Sequence, residues 1–358
     1  MIIYWLLFLF IACFALLEQF DTKKARFRLL LTVFWNAVAV IFVLIMGFRY
    51  EVGADWYSYL EHLEFARNND LFEVIYVQKD PAYATLNWIG ANFFGDIYFV
   101  NTVCAIIFIW GVFKFCSNQP LRWLALAVAT PYLIFVVGMG YTRQGVALAL
   151  VMASLLFMQA GSVWGFVFFV LIASTFHKVS IILIAFVLFV FTDRVLLMIP
   201  LAFLGGFVMF AVFLQESLEM MIDVYIGTEF ASSGALTRLI MNAIPAILFL
   251  MFRLRFKLFE NKYTYNLWMV LSWSAILLLC VLDFSPSSTL IDRLAVYLLP
   301  IQIYIFSRLP YVFGGSSRVL SLGIVIGLLV YSAAIQFVWF KFAVNAYAWL
   351  PYKSYLTH

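Results

Sequence analysis

Long apolar stretches separated by short polar ones dominate the chain. Apolar runs fall at 2–20, 29–48, 96–115, 121–138, 142–160, 163–176, 178–192, 195–214, 236–252, 264–282, 290–306 and 319–340. A helix crossing the hydrocarbon core of a bilayer needs roughly 20 predominantly apolar residues. The pattern therefore predicts an all-α, polytopic membrane protein with about twelve transmembrane helices, and residues 1–358 as a single integral membrane domain. The runs 163–176 and 178–192 are short and meet at Thr175-Phe176-His177-Lys178. They read either as two tilted spans or as one broken pair. Irregular backbone at membrane depth requires a protein-enclosed cavity.

Two connecting segments are long. Residues 49–95 are acidic and aromatic. Within them Asp80-Pro81 reads as an N-cap followed by Pro at the first helical position. Tyr83, Leu86, Trp88 and Ile89 follow, so 81–94 is predicted to be a helix at the membrane interface. Residues 215–237 are the second, with turns at Gly227 and Ser232-Ser233-Gly234.

Composition supports this picture. Hydrophobic residues make up 66% of the chain, aromatics 20% and charged residues only 11%. Soluble domains carry about 25% charge, so a water-soluble globule is excluded. Disorder needs low hydrophobicity and is excluded too. Cys13, Cys104, Cys116 and Cys280 lie in or beside apolar runs without a CxxC pair, so neither a disulfide framework nor a zinc site is indicated. Met1 to Leu17 has no basic segment before it and reads as a retained first span.

Charge sorts the loops by side. With 21–28 cytoplasmic and strict alternation, 13 of the 22 Lys and Arg fall inside and 14 of the 18 Asp and Glu fall outside. This obeys the positive-inside rule and puts both termini outside. The net charge of +4 is thus a topology signal, and nucleic acid is not an expected partner.

Several cations run against that trend. Arg49, Arg143, Arg238 and Arg293 sit at helix ends on the external side, where positive charge is depleted. A single such Arg usually snorkels to headgroups. Four together read as a clamp for a diphosphate or an anionic lipid, because the guanidinium fork suits phosphate oxygens. His177, beside Lys178, interrupts an apolar stretch at the same face; a neutral imidazole can take a proton from a sugar hydroxyl. Asp55 can bind sugar hydroxyls, pair with an Arg, or act as the base. Trp56, Tyr57 and Tyr59 offer flat faces to sugar rings or form an interfacial belt. Tyr297 follows Arg293 by about one helical turn. His62 lies in an acidic, aromatic helix without an HExxH motif. No Asp/Glu cluster has metal-ligand spacing, so a metal-independent site is predicted.

The ordered segments Phe48-Arg49-Tyr50-Glu51-Val52-Gly53-Ala54-Asp55-Trp56-Tyr57, Asp80-Pro81, Gly140-Tyr141-Thr142-Arg143-Gln144-Gly145, Ser174-Thr175-Phe176-His177-Lys178, Asp292-Arg293 with Tyr297, and Leu350-Pro351-Tyr352 resemble the Wzy/EpsG group of bacterial surface-polysaccharide polymerases. The resemblance implies a fold similar to the GT-C membrane glycosyltransferases. It also implies assembly of O-antigen, capsule or exopolysaccharide at the outer face of the bacterial inner membrane. The substrate would be an oligosaccharide repeat unit on undecaprenyl diphosphate, with no separate cofactor. The growing chain would move onto the non-reducing end of a new lipid-linked unit. Carried onto this chain, Arg49, Arg143 and Arg293, with Arg238 added by its placement, bind the diphosphate. His177 is then the first choice of base and Asp55 the second. Tyr57, Tyr141, Lys178, Asp292 and Tyr297 contact sugar. Membrane lipids, a flippase and a chain-length regulator are the implied partners. Two other readings stay open: a transporter of lipid-linked oligosaccharide, and a membrane acyltransferase acting on an external glycan.

Overall fold

A computed structural model describes residues 1–20, 25–191, 234–284, 288–315 and 317–357. The predicted run 195–214, all but the end of the 215–237 segment, and His358 lie outside these residues.

Among the described residues, seven helices are long and apolar enough to cross a membrane, and three shorter apolar helices, Ile2–Leu17, Val163–Phe176 and Ala235–Met251, accompany them. These ten fall on ten of the apolar runs. The only β feature among the described residues is an isolated bridge between Arg49 and Ser354. The chain is a polytopic helical membrane protein.

The residues cluster into two compact units. The first comprises 1–153, 171–178 and 302–358, and the second 154–170 and 179–301.

In the first unit, α1 (Ile2–Leu17), α2 (Ala25–Gly47), α6 (Ile97–Ser117) and α7 (Arg122–Ala129) make the bundle, with α3 (Trp56–Asn68), α4 (Leu71–Gln78) and α5 (Pro81–Ile89) between α2 and α6. A π-helical stretch, Thr130–Val137, and a last turn, Gly138–Gly140, prolong α7. The whole run 122–140 is buried. Trp123 stacks on Phe14 and meets Trp35 edge-on, which locks α7 against α1 and α2. By contrast α2 keeps Val33, Val40 and Leu44 exposed. Apolar surface of that kind belongs against lipid.

The two ends of the 122–140 run differ chemically. At its start the Glu18 carboxylate accepts from the N–H groups of Arg122 (3.2 Å) and Trp123 (3.0 Å), satisfying donors that a helix start leaves open. Nearby Arg308 donates to Gln119 at 2.5 Å and lies over the ring of Tyr304. At its other end are Arg49, Asp80 and Arg143.

The predicted 81–94 helix is present as α5 followed by a π turn, Gly90–Phe94. Pro81 occupies its first turn, but the Asp80 side chain makes no capping bond. The predicted run 163–176 is one helix, α9 (Val163–Phe176), after α8 (Thr142–Gln159). His177 then breaks the helix, and Lys178–Ala185 continues as a 3₁₀ helix.

In the second unit α10 (Phe186–Phe191) and α11 (Ala235–Met251) each pack against α13 (Lys262–Val281), α12 (Arg253–Lys257) lying between α11 and α13 in sequence. Asn261 caps α13 by accepting from Thr264 N–H. The predicted run 290–306 is divided: α14 (Ser288–Val296) stops, and α15 (Pro300–Gly314) follows. Pro300 has no N–H and disfavours helical backbone at Leu299. Residues 297–299 therefore tighten into i→i−3 bonds, with Tyr297 N–H donating to Leu294 at 3.1 Å. The last long helix, α16 (Arg318–Phe342), is followed by a 3₁₀ segment, Val344–Trp349.

Candidate active site

The first unit brings most of the singled-out segments to one place. Arg49, two residues past α2, is 1% exposed. Its Nη1 donates to Met46 O (2.7 Å), Nε to Val52 O (3.2 Å), and Nη2 to Asn101 Oδ1 (3.0 Å) and Thr142 Oγ1 (2.8 Å). The guanidinium faces protein oxygens on all sides and ties α2, α6 and the start of α8 together. Burial lowers its pKa.

Thr142 relays the contact outward. Its backbone N–H donates to the Tyr59 hydroxyl at 2.9 Å. The Tyr59 and Tyr83 rings lie 5.8 Å apart, and the Arg143 guanidinium sits 5.8 Å from the Tyr83 centroid. Burial pushes the Tyr59 phenol up to about 12. The Tyr83 hydroxyl is buried and, among the described residues, has no hydrogen-bond partner.

Arg143 donates from Nη1 to Asp80 Oδ2 at 2.8 Å. Its side chain is 32% exposed, whereas that of Asp80 is 7% exposed. The other Asp80 oxygen accepts from Lys178 N–H at 3.4 Å. Asp80 therefore joins the start of α8 to the helix break at His177. Burial raises the Asp80 pKa, while Arg143 and then Lys178 oppose that rise. The sequence alone suggested only a cap for Asp80; its carboxylate is instead spent on two segments far along the chain. His177 and Lys178 are half-buried here. His62, on α3, lies close enough to Arg143 for the guanidinium to add to burial in lowering its pKa.

Backbone geometry explains the glycine-containing motifs. Gly53 has φ +109°, and a Cβ there would lie 2.6 Å from Met139 O. Only glycine adopts that conformation without strain. A Cβ on Gly140 would meet Trp349 at 2.3 Å. Trp349 is fully buried, and its indole N–H donates to Phe135 O within the π-helical stretch at 2.7 Å. Around it residues 48–53 pair with 348–355: Tyr50 N–H donates to Lys353 O, Tyr355 N–H to Phe48 O and Gly53 N–H to Ala348 O. The Leu350-Pro351 bond is cis. The segments 48–57, Asp80-Pro81, 140–145, 174–178 and 350–352 thus meet within one unit.

The other candidate residues are divided between the two units. Asp55 precedes α3 without capping it, and Tyr57 is exposed. Tyr141 is half-buried between the last turn of the α7 run and α8. Arg238, Asp292, Arg293 and Tyr297 belong to the second unit. There Arg238 and Asp292 form a two-pronged pair between α11 and α14, with Nη2 to Oδ2 at 2.5 Å. Asn242, one turn along α11, donates to Ala295 O at 2.7 Å. Arg293 is exposed and Tyr297 is buried.

Sequence reading placed Asp80, Thr142 and Tyr83 within its motifs and helices without giving them a site role, and it passed over Asn101. Each gains its contacts from a partner distant in sequence.

No curated protein and no solved structure matches the chain. The EpsG family model, however, matches residues 32–354, a stretch that contains every segment assembled around Arg49, Asp80 and Arg143; the chain belongs to the EpsG family.

Proposed function

We propose that this protein is a membrane glycosyltransferase that lengthens a surface glycan. It would transfer the growing chain from undecaprenyl diphosphate to a hydroxyl of an undecaprenyl-diphosphate-linked repeat unit, at the outer face of the bacterial inner membrane. Membership of the EpsG family supports a polysaccharide-polymerase role in general. The observation that carries the finer reading is the Asp80 bridge between a half-exposed Arg143 and the helix break at His177.

In this reading Arg143 is the diphosphate ligand. Without substrate it is neutralised by Asp80; an incoming diphosphate exchanges one anion for another. The acceptor oxygen attacks the anomeric carbon, and the bond from that carbon to the diphosphate oxygen breaks. The acceptor proton passes to His177, with Asp55 the second choice of base. Arg143 stabilises the negative charge that builds on the leaving group, where a preorganised donor is most effective. Asp80 is a positioning residue, acting through Arg143 and the backbone of Lys178. Arg49, its donors spent on protein oxygens, holds the segments in register. Asp292, Arg293 and Tyr297 are assigned to the lipid-linked substrate by resemblance, as are Tyr141 and Lys178, and Arg238 by its placement at a helix end. A flippase that supplies the units and a chain-length regulator are the partners that the resemblance implies.

The test is elongation by purified protein in lipid nanodiscs supplied with lipid-linked repeat units. Wild type should give a ladder of longer glycans, and Arg143→Ala and His177→Ala should not. Normal ladders from both variants would remove these residues from the centre. Movement of units across vesicles without any longer product would instead identify a transporter.

A further inference from the structure

Helix α3 has two working faces. Tyr59 and His62 look toward Tyr83 and Arg143. Tyr57, Glu61 and Glu64, spaced as one face of a helix, look the other way. That second face forms one wall of a cleft of about 540 Å³; the start of α6 at Asp96 to Tyr98 and the Tyr50-Glu51 turn form the rest.

The lining is aromatic and acidic. Tyr50 and Tyr98 both contact the buried Trp56, with ring centroids 6.2 and 6.4 Å away. Tyr57 is 65% exposed at the mouth. Glu51 stands in the left-handed region at φ 52°, and its carboxylate meets Lys353, Tyr50 and Tyr57. Of the other acids, Glu64 pairs with Arg67 at 2.7 Å, and Asp96 accepts from Tyr98 and Phe99 N–H. Glu61 is exposed, with no hydrogen bond or ion pair among the described residues.

We propose that this cleft is a glycan subsite, separate from the reaction centre but sharing α3 with it, that holds uncharged pyranose rings of the chain being extended. Flat aromatic faces suit the apolar faces of sugar rings, and tyrosine hydroxyls and carboxylates suit their hydroxyl groups. A ligand pocket of several hundred Å³ with a few fixed polar groups is the usual form of a small-molecule site. The acidic lining repels uronic acids and other anionic sugars. The assignment rests on the glycosyltransferase reading for its purpose, but its ligand is defined by the cleft itself.

Saturation-transfer NMR on the purified full-length protein tests it without any lipid carrier. The probes are maltohexaose and N-acetyl-chitohexaose as uncharged chains and hexagalacturonate as an anionic one. Wild type should transfer saturation to the ring protons of at least one uncharged hexamer and not to hexagalacturonate. The double variant Tyr57→Ala/Tyr98→Ala should lose at least three quarters of that signal while eluting as wild type does on size exclusion. Glu61→Lys should gain a signal from hexagalacturonate. Equal signals from wild type and double variant, or none from either uncharged hexamer, would overturn the subsite. The elongation assay separates the two ideas. Elongation without hexamer binding sinks the cleft alone, and hexamer binding lost in the double variant, without elongation by wild type, leaves the cleft standing while the polymerase reading fails.

Discussion

Asp80 Oδ2 lies 2.8 Å from Arg143 Nη1, and the carboxylate is far more buried than the guanidinium it holds. Under the glycosyltransferase reading, the buried acid holds the half-open cation in place to meet the diphosphate. Asp80→Asn keeps the shape and removes the charge. It should lower kcat by about 10²-fold, the scale of losing one preorganised group, with a smaller change in KM. Arg143→Gln should raise KM for the lipid-linked unit as well as lowering kcat. Steady-state elongation kinetics on both variants would check this; a purely structural pair would change the melting temperature and leave the KM-to-kcat pattern alike in the two.

Arg49 should answer differently. Arg49→Met strands two carbonyl oxygens, Asn101 and Thr142 in a dry environment. Hydrogen bonds to a charged group contribute about 1.5–3 kcal/mol each, so a loss of about 3 kcal/mol or more is expected. Thermal unfolding in detergent should show a larger drop for Arg49→Met, which strands four partners, than for Arg143→Met, which strands the Asp80 carboxylate alone. Equal drops would mean that both arginines are structural.

Gly53→Ala should fail even though it adds one methyl group. The residue's φ of +109° and the 2.6 Å approach to Met139 O leave the Cβ no room. The expected result is a poorly assembled protein with weak elongation, measured as yield of monodisperse material and as product ladder. Substitution at Gly323, where an added Cβ meets nothing within 4 Å, is the control.

Glu18 gives a pH dependence. Burial raises its carboxyl from 4.5 to about 7, and the N–H groups of Trp123 and Arg122 only partly offset this. The folded state thus binds its proton more tightly than the unfolded chain does. The resulting stabilisation is complete below about pH 4.5 and is lost as pH rises past about 7. It amounts to about 3 kcal/mol. Glu18→Gln should flatten that slope and melt higher than wild type at pH 8. Melting curves of both proteins from pH 5 to 8 would reveal a slope that does not change, if the idea is wrong.

The helices were legible because hydrocarbon leaves a coarse mark: a run of apolar side chains is readable wherever it falls. The start of α5 was legible too, since Pro81 belongs to a first helical turn. Tertiary roles were not. Asp80 carries the local signature of a cap, yet its charge goes to Arg143, 63 residues away. The arginines at helix ends stood out by charge sorting, but that sorting cannot separate the inward-facing Arg49 from the half-open Arg143. The stop before Pro300 was written in the sequence and masked by the unbroken apolar run around it. The π-helical stretch at Thr130–Val137 does carry a mark, Pro131 at its start, but the unbroken apolar run around it hides that mark as it hides Pro300.

The pairing of residues 48–53 with 348–355 imposes an order of events. The Tyr352 hydroxyl donates to Ile45 O across 307 residues of sequence. At about 5–20 residues per second of synthesis, Arg49 waits about 15–60 s in the membrane before its neighbours arrive. Through that interval Trp349 is not yet in place against Gly140, and the packing around Arg49 is unfinished. Assembly of this region is thereby deferred until translation has passed Tyr355, so a nascent or truncated chain would insert its helices in the membrane without it.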